Sequence, residues 1–113
     1  MLGIALNEAA GRTAYLAGFH DARALISERT GRAVKSHAGV KTEFHRLVRG
    51  ETRIDDELRA FLGFAYNLKA IADYQAGPDP GISPELAREA IEIARRFVTG
   101  IAVLIDDTGN TAP

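Results

Sequence analysis

The fold is decided by residues 52–74, TRIDDELRAFLGFAYNLKAIADY, in which apolar residues recur at every third or fourth position. This spacing keeps one side apolar over about five helical turns, which predicts a helix at the centre of the core. We expect the helix to open at Thr52, in a capping box where Asp55 replaces the usual Glu. The apolar face comprises Ile54, Leu58, Phe61, Ala65, Leu68 and Ala72.

Two helices are predicted before this segment. Residues 6–29 form a long amphipathic pattern, and Gly31 is a suitable left-handed stop for it. A shorter helix is expected to start from Ser36 as N-cap and to end at Gly50. The inward positions of the first helix are Tyr15, Phe19, Ala22 and Ile26, and those of the second are Val40, Phe44, Leu47 and Val48.

One more helix is predicted after a connecting loop at residues 76–81, where glycine and proline stop helix propagation. Ser83 is its expected N-cap and Pro84 its first residue, a position where the missing N–H is no loss. The sequence thus predicts an all-α antiparallel four-helix bundle, with one domain over residues 1–105 and a flexible tail over 106–113.

Composition narrows the functional classes. A chain of 113 residues with 46% apolar residues can build one core without cross-links. The absence of cysteine excludes disulfide scaffolds, thiolate metal sites and thiol nucleophiles, and suits a cytoplasmic location. The longest apolar stretch, Phe97–Ile105, is too short for a membrane span, so no membrane association is expected.

Charge is distributed unevenly along the chain. Residues 1–53 carry a net charge of +4 and residues 54–113 a net charge of −5, within a total of −1. This asymmetry is typical of a phosphate-binding face, but it also arises when neighbouring helices or subunits neutralise one another.

Two blocks of sequence carry a family resemblance. Residues 14–26 read AYLAGFHDARALI and residues 35–40 read KSHAGV. They resemble a subgroup of small stand-alone HEPN (higher eukaryote and prokaryote nucleotide-binding) proteins, whose second helix reads like YYAxFHAARALL and whose next helix opens with KTHxGV. Residues 72–74, ADY, and the helix around residues 89–98 are similar to later parts of that subgroup.

The resemblance implies a helical protein that binds RNA or a nucleotide, as the toxin of a toxin–antitoxin pair. It also implies a homodimer, with a nucleotidyltransferase-type antitoxin as partner, and a metal-independent endoribonuclease without a cofactor. The family's usual first helix has no counterpart before residues 6–29, which implies either a reduced bundle or a partner that covers the exposed side. The alternative is a catalytically inactive interaction or regulatory module.

The end of the third predicted helix carries the first candidate site. Ribonucleases of the family have an Arg-x4–6-His pair there, and this chain has Lys69 at the Arg position and Asp73 with Tyr74 in place of His. Metal-free RNA cleavage needs a base for the 2′-hydroxyl and a fixed cation, roles that Asp73 and Lys69 would take. Alternatively they form a surface i,i+4 pair. The resemblance makes Tyr74 a possible acceptor for nucleotide transfer; otherwise it only closes the helix.

The start of the second predicted helix carries the other candidate site. Free N–H groups there, together with Arg32, Lys35 and His37, would bind a phosphate, and His37 is an alternative base. The alternative is a helix start capped by Ser36 with an exposed imidazole.

A further histidine, His20, lies on a mixed face of the first helix and is either a phosphate ligand or a packed residue. A zinc site would need His20, His37 and His45 to converge without any HxxxH spacing, so no metal is expected. The proposed groove at a subunit contact would be lined by Lys35, His37, Lys69, Asp73 and Tyr74, with His20 beside them.

Overall fold

The computed structural model describes residues 2–74 and 81–110 of the chain. Its helices are α1 (Leu2–Thr30), α2 (His37–Leu47), α3 (Asp56–Arg59), α4 (Phe61–Asp73) and α5 (Pro84–Asn110). All regular structure within these residues is helical, which confirms the predicted all-α class.

The turn between α1 and α2 has the helix stop and the helix cap that the sequence predicts. Gly31 has φ 71° and ends α1 in the left-handed conformation. Ser36 caps α2, and its hydroxyl accepts a hydrogen bond from the Gly39 amide at 3.0 Å. Both predictions are confirmed. α2 ends at Leu47, three residues before the predicted Gly50, because the chain turns there toward α3.

The predicted third helix is divided in two. Thr52 lies in a turn, and the N-cap is Asp55, whose carboxylate accepts from the Leu58 amide at 2.9 Å. The predicted capping box at Thr52 is therefore wrong. Arg59 fixes the turn, since its guanidinium donates to the carbonyl oxygens of Val48 and Glu51. The one-turn helix α3 then leads into α4 through Ala60.

α5 starts as predicted, at Pro84, with the Ser83 hydroxyl accepting from a backbone amide at 3.1 Å. It runs to Asn110, so residues 106–110 are helical. The predicted loop at 76–81 falls outside the described residues except for Gly81, and residues 111–113 also lie outside them.

The core forms where α1 packs against α5, α4 and α2. Three fully buried rings join the helices: Phe97 of α5 lies 5.3 Å from Phe44 and 4.9 Å from Phe61 between ring centroids. Every residue of the predicted apolar face between Ile54 and Ala72 is buried, which confirms that prediction. Tyr66, which follows buried Ala65 on α4, lies next to this face and contacts both α1 and α2.

Candidate functional site

His37 is the first residue of α2, and it is held between two tyrosines from other helices. Its ring stacks on Tyr66 of α4, with centroids 3.9 Å apart and planes 13° apart. The hydroxyl oxygen of Tyr15, on α1, lies 3.2 Å from His37 Nδ1. The Tyr15 and Tyr66 rings meet edge to face at 5.6 Å. We call Tyr15, His37, Tyr66 and the neighbouring Lys41 the His37 cluster.

The electrostatics of the His37 cluster favour neutral side chains. Burial lowers the pKa of His37 below its ordinary 6.5, and the cation of Lys41 lowers it further. Burial, and secondly Tyr66, raise the pKa of Tyr15. The imidazole is therefore mostly unprotonated at pH 7 while the phenol keeps its proton. A neutral imidazole beside an ammonium group is an arrangement suited to a general base.

Lys41 lies one helical turn after His37 and reaches toward α4. Its Nζ is 3.4 Å from the position that a Cβ on Gly63 would occupy. The amine thus lies against a stretch of α4 that presents no side chain. From there the cation acts on His37, whose pKa it lowers.

The other predicted site, at the end of α4, is a group of ion pairs around Asp73. The carboxylate of Asp73 accepts from Lys69 Nζ, one turn away, and from Arg12 Nε of α1 at 3.0 Å. Arg12 also donates to the Ala72 carbonyl oxygen at 2.8 Å. The hydrogen bonds from Lys69 and Arg12 hold the pKa of Asp73 below its usual value. Asp73 is therefore a weaker base than an ordinary carboxylate, and the ammonium group of Lys69 is held in an ion pair.

The two groups are neighbours along the α1–α4 contact. Arg12 lies three residues before Tyr15 on α1, and Tyr66 lies three residues before Lys69 on α4. Residues three apart are adjacent on a helix surface. The structure thus brings His37, Lys69 and Asp73 to the same side of the molecule.

The remaining predicted residues lie apart from these groups. Arg32 is exposed, with Nη2 3.4 Å from Glu43 Oε1. His20 is exposed and meets the edge of the Phe19 ring, with centroids 6.2 Å apart. Tyr74, just past the end of α4, has 84% of its surface exposed. Among the described residues, no hydrogen bond, ion pair or ring contact joins the side chains of Lys35, His20 or Tyr74 to His37 or Asp73.

The family of the chain can be stated from its sequence. The family model described as HEPN domain matches residues 3–103, which is most of the chain. The chain belongs to the HEPN family. Comparison with curated proteins and with solved structures gives no match. The family includes ribonuclease-type toxins and also nucleotide-binding modules.

Two members of the His37 cluster of this HEPN domain, Tyr15 and Tyr66, are not predicted from the sequence as site residues. Tyr66 was not among the predicted site residues, and Tyr15 was expected only in the core. Tyr15 is indeed buried, but its hydroxyl reaches His37. The sequence feature that could have indicated Tyr66 is its position outside the apolar face of α4. It directly follows buried Ala65, and its side chain is 42% exposed.

The described residues of the HEPN domain form neither a cluster of metal ligands nor a membrane-spanning helix. Over residues 2–74 and 81–110, no group of three histidine, aspartate or glutamate side chains is placed to ligate a metal. His45, considered for a zinc site, instead has Nε2 2.9 Å from the Arg59 carbonyl oxygen. None of the described helices combines the length and the apolar character that a membrane crossing requires.

Proposed function

We propose that this HEPN protein binds RNA and cleaves it without a metal, with His37 as the base, as the toxin of a toxin–antitoxin pair in the cytoplasm. The observation that carries the proposal is the 3.2 Å contact of His37 Nδ1 with the Tyr15 hydroxyl, in a cluster where the His37 pKa is lowered. In the tautomer with a proton on Nδ1, His37 donates to Tyr15 and leaves the lone pair of Nε2 for a substrate proton.

The proposed reaction is attack of a ribose on its own phosphodiester. His37 Nε2 takes the proton of the 2′-hydroxyl, and the 2′-oxygen bonds to phosphorus. The bond from phosphorus to the 5′-oxygen breaks, and that oxygen takes a proton from water. The products are a 2′,3′-cyclic phosphate and a 5′-hydroxyl, and the imidazolium returns its proton to solvent. Lys41 supports the negative charge of the crowded phosphate.

His37 is a better base than Asp73 in this proposal. The carboxylate of Asp73 is shared between Lys69 and Arg12 and has a lowered pKa, so it holds a proton poorly. Lys69 and Arg12 would act with Arg32, Lys35 and His20 as cations that attract the RNA.

The proposed partners are a second copy of the chain and a nucleotidyltransferase-type antitoxin. Tyr74 is the proposed acceptor of a transferred nucleotide. The exposure of Tyr74 supports this role, because a side chain with 84% of its surface exposed can enter the active site of another enzyme.

The test is cleavage of a mixed RNA by the purified protein in the presence of EDTA. The wild type is expected to form 2′,3′-cyclic phosphate ends. His37→Gln is expected to lower the rate by about 10²- to 10⁴-fold, the range for loss of a general base. Asp73→Asn should lower it by less than about tenfold, because its carboxylate serves only an ion pair. Arg88→Gln, a change on exposed α5 surface, is the control.

Two outcomes would contradict the proposal. Cleavage that survives in His37→Gln would remove His37 as the base, and greater sensitivity to Asp73→Asn would move the chemistry to the end of α4. Expression in a bacterial host tests the toxin role, since the wild type should stop growth and His37→Gln should not.

A second candidate function is a catalytically inactive interaction module. The observation in its favour is that Lys69 and Asp73, at the family's usual catalytic position, are tied up in ion pairs with each other and with Arg12. Wild-type protein that forms a stable complex with an antitoxin but leaves RNA intact would support this candidate over the first.

A further inference from the structure

One side of α2 carries a ridge of basic residues that extends beyond the His37 cluster. His37, Lys41 and His45 follow one another at intervals of four residues on α2, and Arg49 lies in the turn after the helix. Four residues advance a helix by about 6 Å, so the ridge presents one basic side chain at about that interval. This distance is comparable to the length of one nucleotide in an extended strand.

The opposite wall of a groove is formed by α4 and the end of α3. Tyr66 lies against His37, Gly63 against Lys41, and the Arg59 carbonyl oxygen against His45. Residue numbers fall along this wall as they rise along α2, so the two walls run antiparallel. We call this feature the α2–α4 groove.

The α2–α4 groove widens at its far end into a cavity of about 570 Å³. The cavity is lined by His45, Arg49, Asp56, Arg59 and Ala60. Arg59 is held in place by its hydrogen bonds to two carbonyl oxygens, so its charge has a fixed position. Two arginines and one aspartate therefore line a space large enough for a nucleotide.

The charge of the groove is not balanced by ion pairs. The acidic residue of α2, Glu43, pairs with Arg46 and Arg32. Within the described part of the chain, no ion pair includes Lys41, Arg49 or Arg59. This contrasts with Lys69, which forms an ion pair with Asp73. Lys41 and Arg49 therefore keep their charge available for a phosphate.

We infer that the α2–α4 groove is the binding track for one single strand of RNA, with phosphates along Lys41 and Arg49 and a base stacked on Tyr66. An extended strand fits this feature because backbone cations and an aromatic ring are what sequence-tolerant single-strand sites combine. A duplex would keep its bases away from Tyr66. The inference rests on the proposed function and adds to it that the nucleotides on one side of the cleaved bond provide the affinity.

The experiment measures binding of a fluorescent eight-nucleotide RNA by anisotropy, at several salt concentrations, with His37→Gln in every variant to prevent cleavage. Lys41→Gln/Arg49→Gln is expected to weaken binding about tenfold and to reduce the slope of affinity against salt by about 1 to 2. The matched control is Arg88→Gln/Arg95→Gln, which removes the same charge from exposed positions of α5. It should change the affinity by less than about twofold.

Stacking is tested separately from charge. Tyr66→Leu is expected to weaken binding about tenfold and leave the salt slope unchanged, and Tyr66→Phe should restore the affinity. Far-UV circular dichroism and thermal unfolding of each variant distinguish a lost contact from a lost fold.

Several results would overturn the track. One is an equal loss of RNA affinity in the two charge-matched double variants. Another is duplex RNA that binds as tightly as the single strand. A third is polyglutamate that competes with the RNA for the protein and is weakened to the same extent by Lys41→Gln/Arg49→Gln. RNA that binds as expected but is not cleaved by the protein with His37 intact would contradict the proposed function alone. Cleavage of a dinucleotide as efficiently as of a longer strand would contradict the track alone.

Discussion

α4 packs against α1 on one side and lies beside α2 on the other, and a glycine marks each contact. A Cβ on Gly18 of α1 would overlap the ring of Phe61, which is fully buried. A Cβ on Gly63 would meet only the end of the Lys41 side chain, at 3.4 Å from Nζ. At the first contact a buried aromatic ring fills the space beside the glycine. At the second contact the space is occupied by the end of the Lys41 side chain. One helix thus supplies stability on one side and the proposed binding surface on the other.

The largest expected effect tests the packed side. Phe97 contacts Phe44 and Phe61 and is fully buried, so Phe97→Ala should lower the free energy of unfolding by about 3–5 kcal/mol. Tyr66→Ala, in the α2–α4 groove, should cost less than half of that because the Tyr66 side chain is 42% exposed. Urea unfolding followed by circular dichroism measures both. Equal losses would show that the groove belongs to the core.

The next effect compares the two glycines directly. Gly18→Ala forces a methyl group against Phe61 and should destabilise the protein by roughly 1–3 kcal/mol. Gly63→Ala should leave stability unchanged or raise it by up to about 1 kcal/mol, because alanine is the better helix former and Lys41 can move. Thermal unfolding of both variants gives the comparison.

The Gly63→Ala variant also sharpens the functional side of the comparison. The displaced Lys41 amine should bind RNA more weakly although the fold is at least as stable. A destabilised Gly63→Ala protein would instead show that α2 and α4 pack as closely as α1 and α4.

The packed side could be read from the sequence because it rests on periodicity. The apolar face from Ile54 to Ala72 is buried in full, and Ser36, Ser83 and Pro84 act at helix starts as their residue types predict. These features depend on neighbours within a few residues. The position of the cap at Asp55 did not follow, because Arg59 bonds to carbonyl oxygens 8 and 11 residues earlier.

The functional side could be read only in part. The sequence identified His37 and the start of α2, and it raised the possibility of an ion pair between Lys69 and Asp73. It could not show that Tyr15 and Tyr66 would meet His37, because these contacts join residues 22 and 29 positions from it in the chain. The same holds for Arg12, which reaches Asp73 across 61 positions. Such contacts depend on how the helices pack against one another, and this packing cannot be predicted from a single sequence.

The smallest expected effect is on the titration of His37, measured by NMR from its Cε1–H signal. In the wild type the pKa should lie below 6.5, mainly through burial and secondly through Lys41. Lys41→Gln removes only the second cause, so the pKa should rise by less than about one unit and stay below 6.5. A pKa at or above 6.5 in the wild type would mean that the imidazole is open to water.

The same shift predicts how stability depends on pH. Because the folded protein holds the His37 proton less tightly than the unfolded chain, the contribution of His37 is complete above pH 6.5 and is lost as the pH falls through the lower pKa of the folded state. His37→Gln should therefore flatten the fall in unfolding free energy between about pH 7 and 5, and Arg88→Gln should not. If both variants followed the wild-type curve, the burial of His37 between Tyr15 and Tyr66 would carry no energetic weight, and the groove would lose the neutral imidazole that separates it from an ordinary basic surface.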